Sequence, residues 1–385
     1  MDTCYKKKIL MVVHSWDIGG VRNSVTNLSN ALFKKGYGVT VAVTSNKVVK
    51  PDNLLPGIRF FFKEEKQSKL LSKLPYFRNF WESGMWSTRQ TPQKLYKHFI
   101  GKEKYDIEIA QFFGRPLKVV YGSTNKNSKK IAWIHSDFSY GENKGYLSAF
   151  KTNEDAIMAY KSFDAVICTS EGVKESFEKA IGRKDNNFVL YNLNDTSKIT
   201  ALAEEDIDVK KENFTYVFVG RLSEEKGVMR LLTCVKKLNS EGFVFNCWIV
   251  GDGAERVKAE RFAKENVLFN VKFLGAQKNP YPYIKNADAL VLPSKAEAYG
   301  LSLAEALILN TPCIATDCVG PREILDGDKY GLLVKNDDDG IYSGMKSFLS
   351  DEKLVLHYRD MAQQRAEFFE EEKILNELEN ILKGL

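Results

Sequence analysis

No stretch of this 385-residue sequence reaches the ~20 consecutive apolar residues that a membrane-spanning helix needs, which argues against an integral helical membrane protein. There is no CxxC pair among the six cysteines (Cys4, Cys168, Cys234, Cys247, Cys313 and Cys318). Several of them fall in apolar, strand-like runs, so the expectation is buried, reduced thiols and a cytosolic compartment. There is no internal repeat and no low-complexity tract. The start has a charged lead-in, and its apolar run breaks at His14; it reads as a first strand and not as a signal peptide. Gly251-Asp-Gly253 is too short a match to the dinucleotide fingerprint to imply NAD. The net charge of +6 is mild; it suits an anionic ligand or a membrane surface and does not by itself imply nucleic acid.

What is present is a globular composition, 44% apolar and 28% charged, in a chain too long for one ordinary core. Residues 9–13 form an apolar run followed by His14, then Gly19-Gly20, then a helical pattern to Lys35 and a second apolar run at 39–43. Strand, glycine-containing turn, helix, strand is the unit of a doubly wound sheet. Short apolar runs at 107–110, 131–134, 165–168 and 189–193 continue the series. A polar stretch at 196–213 reads as a linker. A second series follows, with strands expected at 216–219, 245–250, 271–274, 289–292, 313–315 and 331–334, separated by helical patterns. The prediction is α/β: two Rossmann-like domains facing a central cleft, residues 1–196 and 214–365. Residues 197–213 would join them, and a C-terminal helix at 366–385 would pack back on the first domain.

The segment Glu297-Ala-Tyr-Gly-Leu-Ser-Leu-Ala-Glu305 organises the second half. An apolar strand precedes it and good helix formers follow, so Tyr299, Gly300 and Leu301 lie where a helix begins. The first N–H groups of a helix lack intrahelical partners and the dipole there is positive, which makes a receptor for phosphate. Two carboxylates, Glu297 on the turn and Glu305 in the helix, flank it and can bind hydroxyls. A phosphate flanked by hydroxyl-binding carboxylates points to a nucleotide-sugar. Upstream, Phe218-Val-Gly-Arg-Leu-Ser-Glu-Glu-Lys-Gly227 places Gly220 at a strand end, where a ligand can approach the backbone, and Arg221 and Lys226 in the loop above it. Two cations beside a helix start are what a departing diphosphate needs, because charge develops on it as the sugar leaves. Most Arg and Lys are simply surface cations; it is the combination with the Glu297–Glu305 segment that favours a site.

Val219-Gly-Arg-Leu with Glu225-Lys-Gly227, and Glu297 and Glu305 with seven residues between them, resemble the two signatures of the family-4 retaining glycosyltransferases of GT-B fold. Val250-Gly-Asp-Gly253, Asn270-Val-Lys-Phe-Leu-Gly275, Pro293-Ser294, Pro312-Cys-Ile-Ala-Thr-Asp-Cys-Val-Gly320, Gly19-Gly20 and Trp133-Ile-His-Ser136 match in order. The resemblance implies that Arg221 and Lys226 bind the donor diphosphate and that the backbone at Tyr299, Gly300 and Leu301 holds the distal phosphate. It implies that Glu297 meets the reacting face of the sugar and Glu305 the ribose. Gly19 and Gly20 would let the first loop approach the phosphate and acceptor, His135 would touch the sugar, and Gln277 would lie in the base-reading loop. His14, also at a strand end, is a candidate acceptor contact or a structural histidine. The family often carries an acidic residue soon after Gly-Gly; Val21-Arg22 stands here, so Arg22 is expected to meet an anionic acceptor.

The implied reaction moves a sugar from a nucleotide-diphosphate sugar, by expectation a UDP-sugar, to a hydroxyl of a lipid-linked or polysaccharide glycan, with retention. The alternatives are a nucleotide-sugar epimerase or phosphorylase of the same fold, or a non-enzymatic protein that binds a membrane or a partner. No metal or cofactor is expected: Asp206-Ile-Asp208 spells Asp-x-Asp but sits in the polar linker, and Arg221 and Lys226 can stabilise the leaving group. From Lys63 to Lys104, basic residues alternate with aromatics such as Tyr76, Phe77, Trp81 and Trp86. That suits the face of an anionic membrane and a peripheral place on the inner side of the plasma membrane, or equally a solvated helix with a buried aromatic face. No recognised nucleic-acid motif accompanies it, and no nucleic-acid partner is expected.

Overall fold

A computed structural model describes residues 5–16, 19–45, 48, 53–62, 85–139 and 149–385. Contacts divide the chain into two units, Met1–Asn192 with Leu375–Leu385, and Leu193–Ile374. Each is an α/β unit around a parallel sheet.

In the first unit the strands are β1 (Lys8–Val13), β2 (Gly38–Val43), β3 (Arg59–Phe62), β4 (Ile107–Ala110), β5 (Lys129–Ile134), β6 (Ala165–Cys168) and β7 (Asn187–Val189). They lie in the order β3-β2-β1-β4-β5-β6-β7, all parallel. The central strands are buried on both faces and so are apolar almost throughout; the exception in β4 is the buried Glu108, which accepts from Tyr96 Oη at 3.0 Å and Ser123 Oγ at 2.8 Å. Two details differ from expectation. β3 was not expected; it is an edge strand, Arg-Phe-Phe-Phe, with no fully buried residue and hence little signal. The last strand is β7 at 187–189 and not 189–193, although Leu190 still donates its N–H to Cys168 O at 2.9 Å.

In the second unit the strands are β8 (Thr215–Val219), β9 (Asn246–Val250), β10 (Val271–Gly275), β11 (Ala289–Leu292), β12 (Cys313–Thr316) and β13 (Leu332–Val334). Their order is β10-β9-β8-β11-β12-β13, again all parallel. The order reverses between β8 and β11, just as it reverses between β1 and β4 in the first unit. Loops leaving the carboxyl ends of strands on either side of such a reversal run in opposite directions and open a crevice, where this class of sheet binds ligands.

The polar stretch expected as a linker is part of the second unit. It holds the helix Thr196–Leu202, capped by Asp195, and it is fastened to the helix Tyr281–Asn286 and its approaches. Asn279 donates to Leu202 O at 2.8 Å, Lys285 pairs with Glu204, Tyr283 Oη donates to Asp208 at 3.4 Å, and Lys211 meets Asp288 at 2.7 Å. Charge alone cannot tell a solvated connector from a polar segment paired residue by residue with a domain. At the other end, the residues Leu375–Leu385 of the helix Glu371–Gly384 group with the first unit. There Glu379 accepts from Tyr37 Oη at 3.0 Å and meets Lys6 at 3.4 Å. Among the described residues no helix is long and apolar enough to cross a membrane, and Cys168, Cys234, Cys247, Cys313 and Cys318 are buried free thiols. Residues 63–84 of the basic-aromatic segment lie outside the described residues. Arg89, Lys94, Lys97, Lys102 and Lys104 fall on or beside the short helices Met85–Arg89 and Pro92–Phe99.

Candidate functional site

At the reversal in the second unit, the loop leaving β8 carries Gly220, Arg221 and Lys226, and the turn leaving β11 carries Glu297, Tyr299 and Gly300. Gly220 continues the sheet through its N–H, which donates to Val250 O at 3.0 Å. The two loops are stitched together. Lys295 N–H donates to Glu225 O at 2.7 Å, and Lys295 Nζ meets Glu224 at 2.8 Å. Gly227 has φ +73° and lies so close to the second loop that a Cβ would stand 2.1 Å from Pro293 O, so only glycine fits.

The stitching brings Lys226 and Glu297 into a direct ion pair, with the lysine about a quarter and the glutamate an eighth exposed. Burial works to lower the Lys226 pKa, but the charge and hydrogen bond of Glu297, helped by Glu225, more than reverse it and hold it above its ordinary value. Arg221 is exposed at the mouth of the loop, and its charge reaches Lys226 and opposes that rise. The sequence placed both cations on one diphosphate and Glu297 on the sugar; it gave no sign that Lys226 and Glu297 pair with each other.

Gly300, at φ +97°, caps the helix Leu301–Ile308, and its carbonyl accepts from Leu303 and Ala304. The turn before it is braced by the short helix Val319–Ile324: Gly320 N–H donates to Glu297 O at 2.9 Å, and a Cβ on Gly320 would fall 2.5 Å from Tyr299 N. Glu305 follows in the second turn of the helix Leu301–Ile308, 8% exposed, with Tyr281 Oη 3.5 Å from its Oε1. Burial pushes its carboxyl pKa up to about 8, against a smaller lowering from Tyr281. A buried carboxyl with one long hydrogen bond has acceptor capacity to spare for ligand hydroxyls. Tyr281 was missed by sequence reasoning, since nothing local links it to a residue 24 positions on. Gln277, in the loop after β10, turns its amide back to donate to Leu274 O at 2.6 Å.

In the first unit, His14 is exposed at the end of β1, and Gly19 and Gly20 open the helix Gly20–Lys34, where Asn23 N–H donates to Gly19 O at 3.2 Å. Arg22 lies in the first turn of that helix, half-buried. His135 leaves β5, its ring nearly parallel to that of Trp133, and its Nε2 lies 3.0 Å from Gln111 Oε1. Burial lowers the His135 pKa to about 4, so the ring is neutral at physiological pH. Gln111, at the end of β4, is fully buried, and its Nε2 lies 3.7 Å from Met11 Sδ, which turns Oε1 toward the histidine. An Nε2–H donated to that oxygen leaves Nδ1 as the free acceptor. Gln111 was also missed; its signal is a polar residue directly after an apolar strand that ends at the reversal point. Elsewhere, Asp208 is engaged with Tyr283, and no group of three or more His, Cys, Asp or Glu that could hold a metal ion occurs among the described residues.

Two parallel α/β sheets, the second with a cation–carboxylate pair at its reversal point, define the class as a doubly wound α/β protein with a charged crevice at the carboxyl ends of its strands. Comparison with known proteins supplies the activity class. Residues 201–366 match the family model for glycosyl transferases group 1, and residues 18–198 match that for glycosyltransferase family 4. An uncharacterized glycosyltransferase of Methanocaldococcus jannaschii is 28% identical over 302 residues, 68% of this chain and 73% of that one. The N-acetylgalactosamine-N,N'-diacetylbacillosaminyl-diphospho-undecaprenol 4-alpha-N-acetylgalactosaminyltransferase of Campylobacter jejuni is 27% identical over 290 residues, 74% and 75% of the two chains. Among solved structures, Anabaena HepE, crystallised with UDP and glucose, superposes with a TM-score of 0.75 at 19% identity, over 98% of this chain and 100% of that one. The chain belongs to the family-4, group 1 glycosyltransferases and has the GT-B fold.

Proposed function

We propose that this glycosyltransferase moves a sugar from a UDP-sugar to a hydroxyl of a lipid-linked or polysaccharide glycan, with retention at the anomeric carbon and without a metal ion. The observation that carries the reading is the Lys226–Glu297 pair on two loops stitched together at the reversal point of the second sheet. Lys226, with Arg221 beside it, supplies positive charge where the diphosphate departs. The turn Tyr299-Gly300-Leu301 offers a helix start to the distal phosphate, Glu297 meets the sugar hydroxyls, and Glu305 takes the ribose diol. Gly220 and Gln277 shape the nucleotide side. Gly19 and Gly20 let the first loop come close to the phosphate, His135 meets the sugar as a neutral ring, and Arg22 and His14 are acceptor contacts. The acceptor oxygen attacks from the face that the diphosphate leaves, so the C1–phosphate oxygen bond breaks as the new glycosidic bond forms, the acceptor's hydroxyl proton passes to the departing phosphate oxygen on that same face, and the cations replace a divalent ion in holding the released charge.

The choice of UDP is supported by the HepE complex, and that of a lipid-linked acceptor by the specificity named for the Campylobacter relative. Work on the inner face of the plasma membrane, with the segment from Lys63 to Lys104 toward anionic lipid, fits such an acceptor. The test is to incubate the protein with UDP-glucose, UDP-N-acetylglucosamine and UDP-N-acetylgalactosamine, with and without undecaprenyl-diphosphate-linked glycan. UDP release that needs acceptor, and an α-linked product from an α-linked donor by NMR, are expected. Epimerised donor in the absence of acceptor, or no binding of any nucleotide-sugar, would refute the reading.

A further inference from the structure

We propose that Arg230 and Asn336 form a clamp that positions Glu297 for sugar transfer by gripping the backbone of the turn before it, an inference that rests on the function proposed above. Arg230 lies in the first turn of the helix Val228–Ser240, its side chain only 11% exposed. Its Nη1 donates to Pro293 O at 3.1 Å and to Asn336 Oδ1 at 2.8 Å, and its Nε donates to Asp338 Oδ1 at 2.9 Å. The oriented Asn336 then donates its own Nδ2 to Lys295 O at 3.0 Å. Two carbonyls of the turn, at 293 and 295, are therefore held by one connected pair of side chains.

Three further backbone groups of the turn are also committed. Ser294 O accepts from Thr316 Oγ1 at 2.5 Å, Lys295 N–H donates to Glu225 O at 2.7 Å, and Glu297 O accepts from Gly320 N–H at 2.9 Å. The peptides that follow 293, 294 and 295 and the carbonyl of Glu297 itself are each held by one of these bonds, so the backbone on both sides of Glu297 is braced from behind. The planar guanidinium suits the task because it reaches a carbonyl, an amide oxygen and a carboxylate together, which a lysine ammonium at the end of a flexible stem does less well. Arg230 meets Asp338, Asn336 and the turn, and the charge that faces the sugar remains that of Lys226 and Glu297; Arg230 and Asn336 are positioning residues.

A residue that merely stabilised the domain would change the folded fraction without splitting the kinetic constants. The variants are Arg230→Met, Arg230→Lys and Asn336→Ala, each alone, with the Arg230→Lys/Asn336→Ala pair in the full chain. Expected for Arg230→Met and Asn336→Ala is a fall in kcat of about tenfold or more per folded molecule, with the Kd for UDP within about twofold, since small misplacements of a catalytic group cost rate rather than binding. Arg230→Lys should fall less. Because both residues act on one turn, the paired variant should be no worse than the weaker of its two singles. Amide hydrogen exchange at Lys295 should speed up about tenfold in Asn336→Ala, with exchange in the core strand β8 unchanged. Unchanged Lys295 protection, additive losses in the pair, or a Kd that weakens as much as kcat falls would overturn the clamp. The exchange measurement needs neither donor nor acceptor. It decides the clamp even if the wild-type protein transfers no sugar, an outcome that would instead overturn the proposed function.

Discussion

The two sheets reverse their strand order in the same way, yet the side chains paired beside the two reversals differ in chemistry. In the second unit the point is charged: Lys226 against Glu297, with Arg221 at the mouth. In the first, where His14 and Arg22 follow β1, the ends of β4 and its neighbour β5 present a neutral pair: His135, kept uncharged by burial, against the side-chain amide of Gln111. One arrangement suits an anion whose charge grows during the reaction; the other suits hydroxyl groups that need orientation but carry no charge. The same backbone topology thus serves two ligand chemistries, and the side chains in the loops that leave the strands decide which.

Removing the charge should have the largest effect. Lys226→Met leaves Glu297 without its cation and the leaving group without its counter-charge, and we expect kcat to fall by about 100- to 1,000-fold, as for loss of one preorganised donor. Initial rates with saturating donor and acceptor test this; a loss of less than about fivefold would break the contrast between the units.

On the neutral side, His135→Ala should cost less, about 10- to 100-fold in kcat/KM for the donor. The sharper reading is in pH. With its pKa near 4, His135 stays neutral from pH 5.5 to 8.5, so the wild-type profile should show no limb near 6.5 that disappears in the variant. Such a limb would mean that the first unit, too, works with charge.

Glu305 sharpens the comparison further, since its pKa of about 8 makes it a buried carboxyl that holds its proton in the folded chain. A folded-state value above the unfolded one favours folding fully below about pH 4.5, and that contribution is lost as pH rises through about 8. Thermal melts of wild type against Glu305→Gln should therefore diverge, the variant gaining by a few kcal/mol between pH 5 and pH 8.5. Parallel curves would show that the group is ionised in the fold. The smallest effect expected is from Gly227→Ala, whose Cβ meets Pro293 O. A loss of about 1–3 kcal/mol on denaturation is expected, with activity falling mainly through a loosened seam between the loops.

Much of this was visible in the sequence, for a physical reason. Parallel strands buried on both faces are apolar almost throughout, so 107–110 (despite Glu108), 165–168 and 289–292 could be read residue for residue. The spacing between Glu297 and Glu305 survives in sequence because strand, turn and helix are contiguous there. What was hidden depends on partners distant in the chain. β3 is defined by pairing with β2, the stretch 197–213 by its contacts with 279–288, and the Lys226–Glu297 pair by a seam between loops 71 residues apart. Gln111 and Tyr281 act on residues that no local pattern connects to them.

The last residues of the chain, Leu375–Leu385, are members of the first unit although 182 residues of the second come between. Membership by contact and membership by position therefore disagree. A gene fragment that stops after residue 374 encodes the whole of the second unit and an incomplete first one, in which the Tyr37 hydroxyl and the Lys6 ammonium have lost the acceptor that Glu379 provides. The first unit becomes whole only once residues 375–385 have followed the second unit off the ribosome.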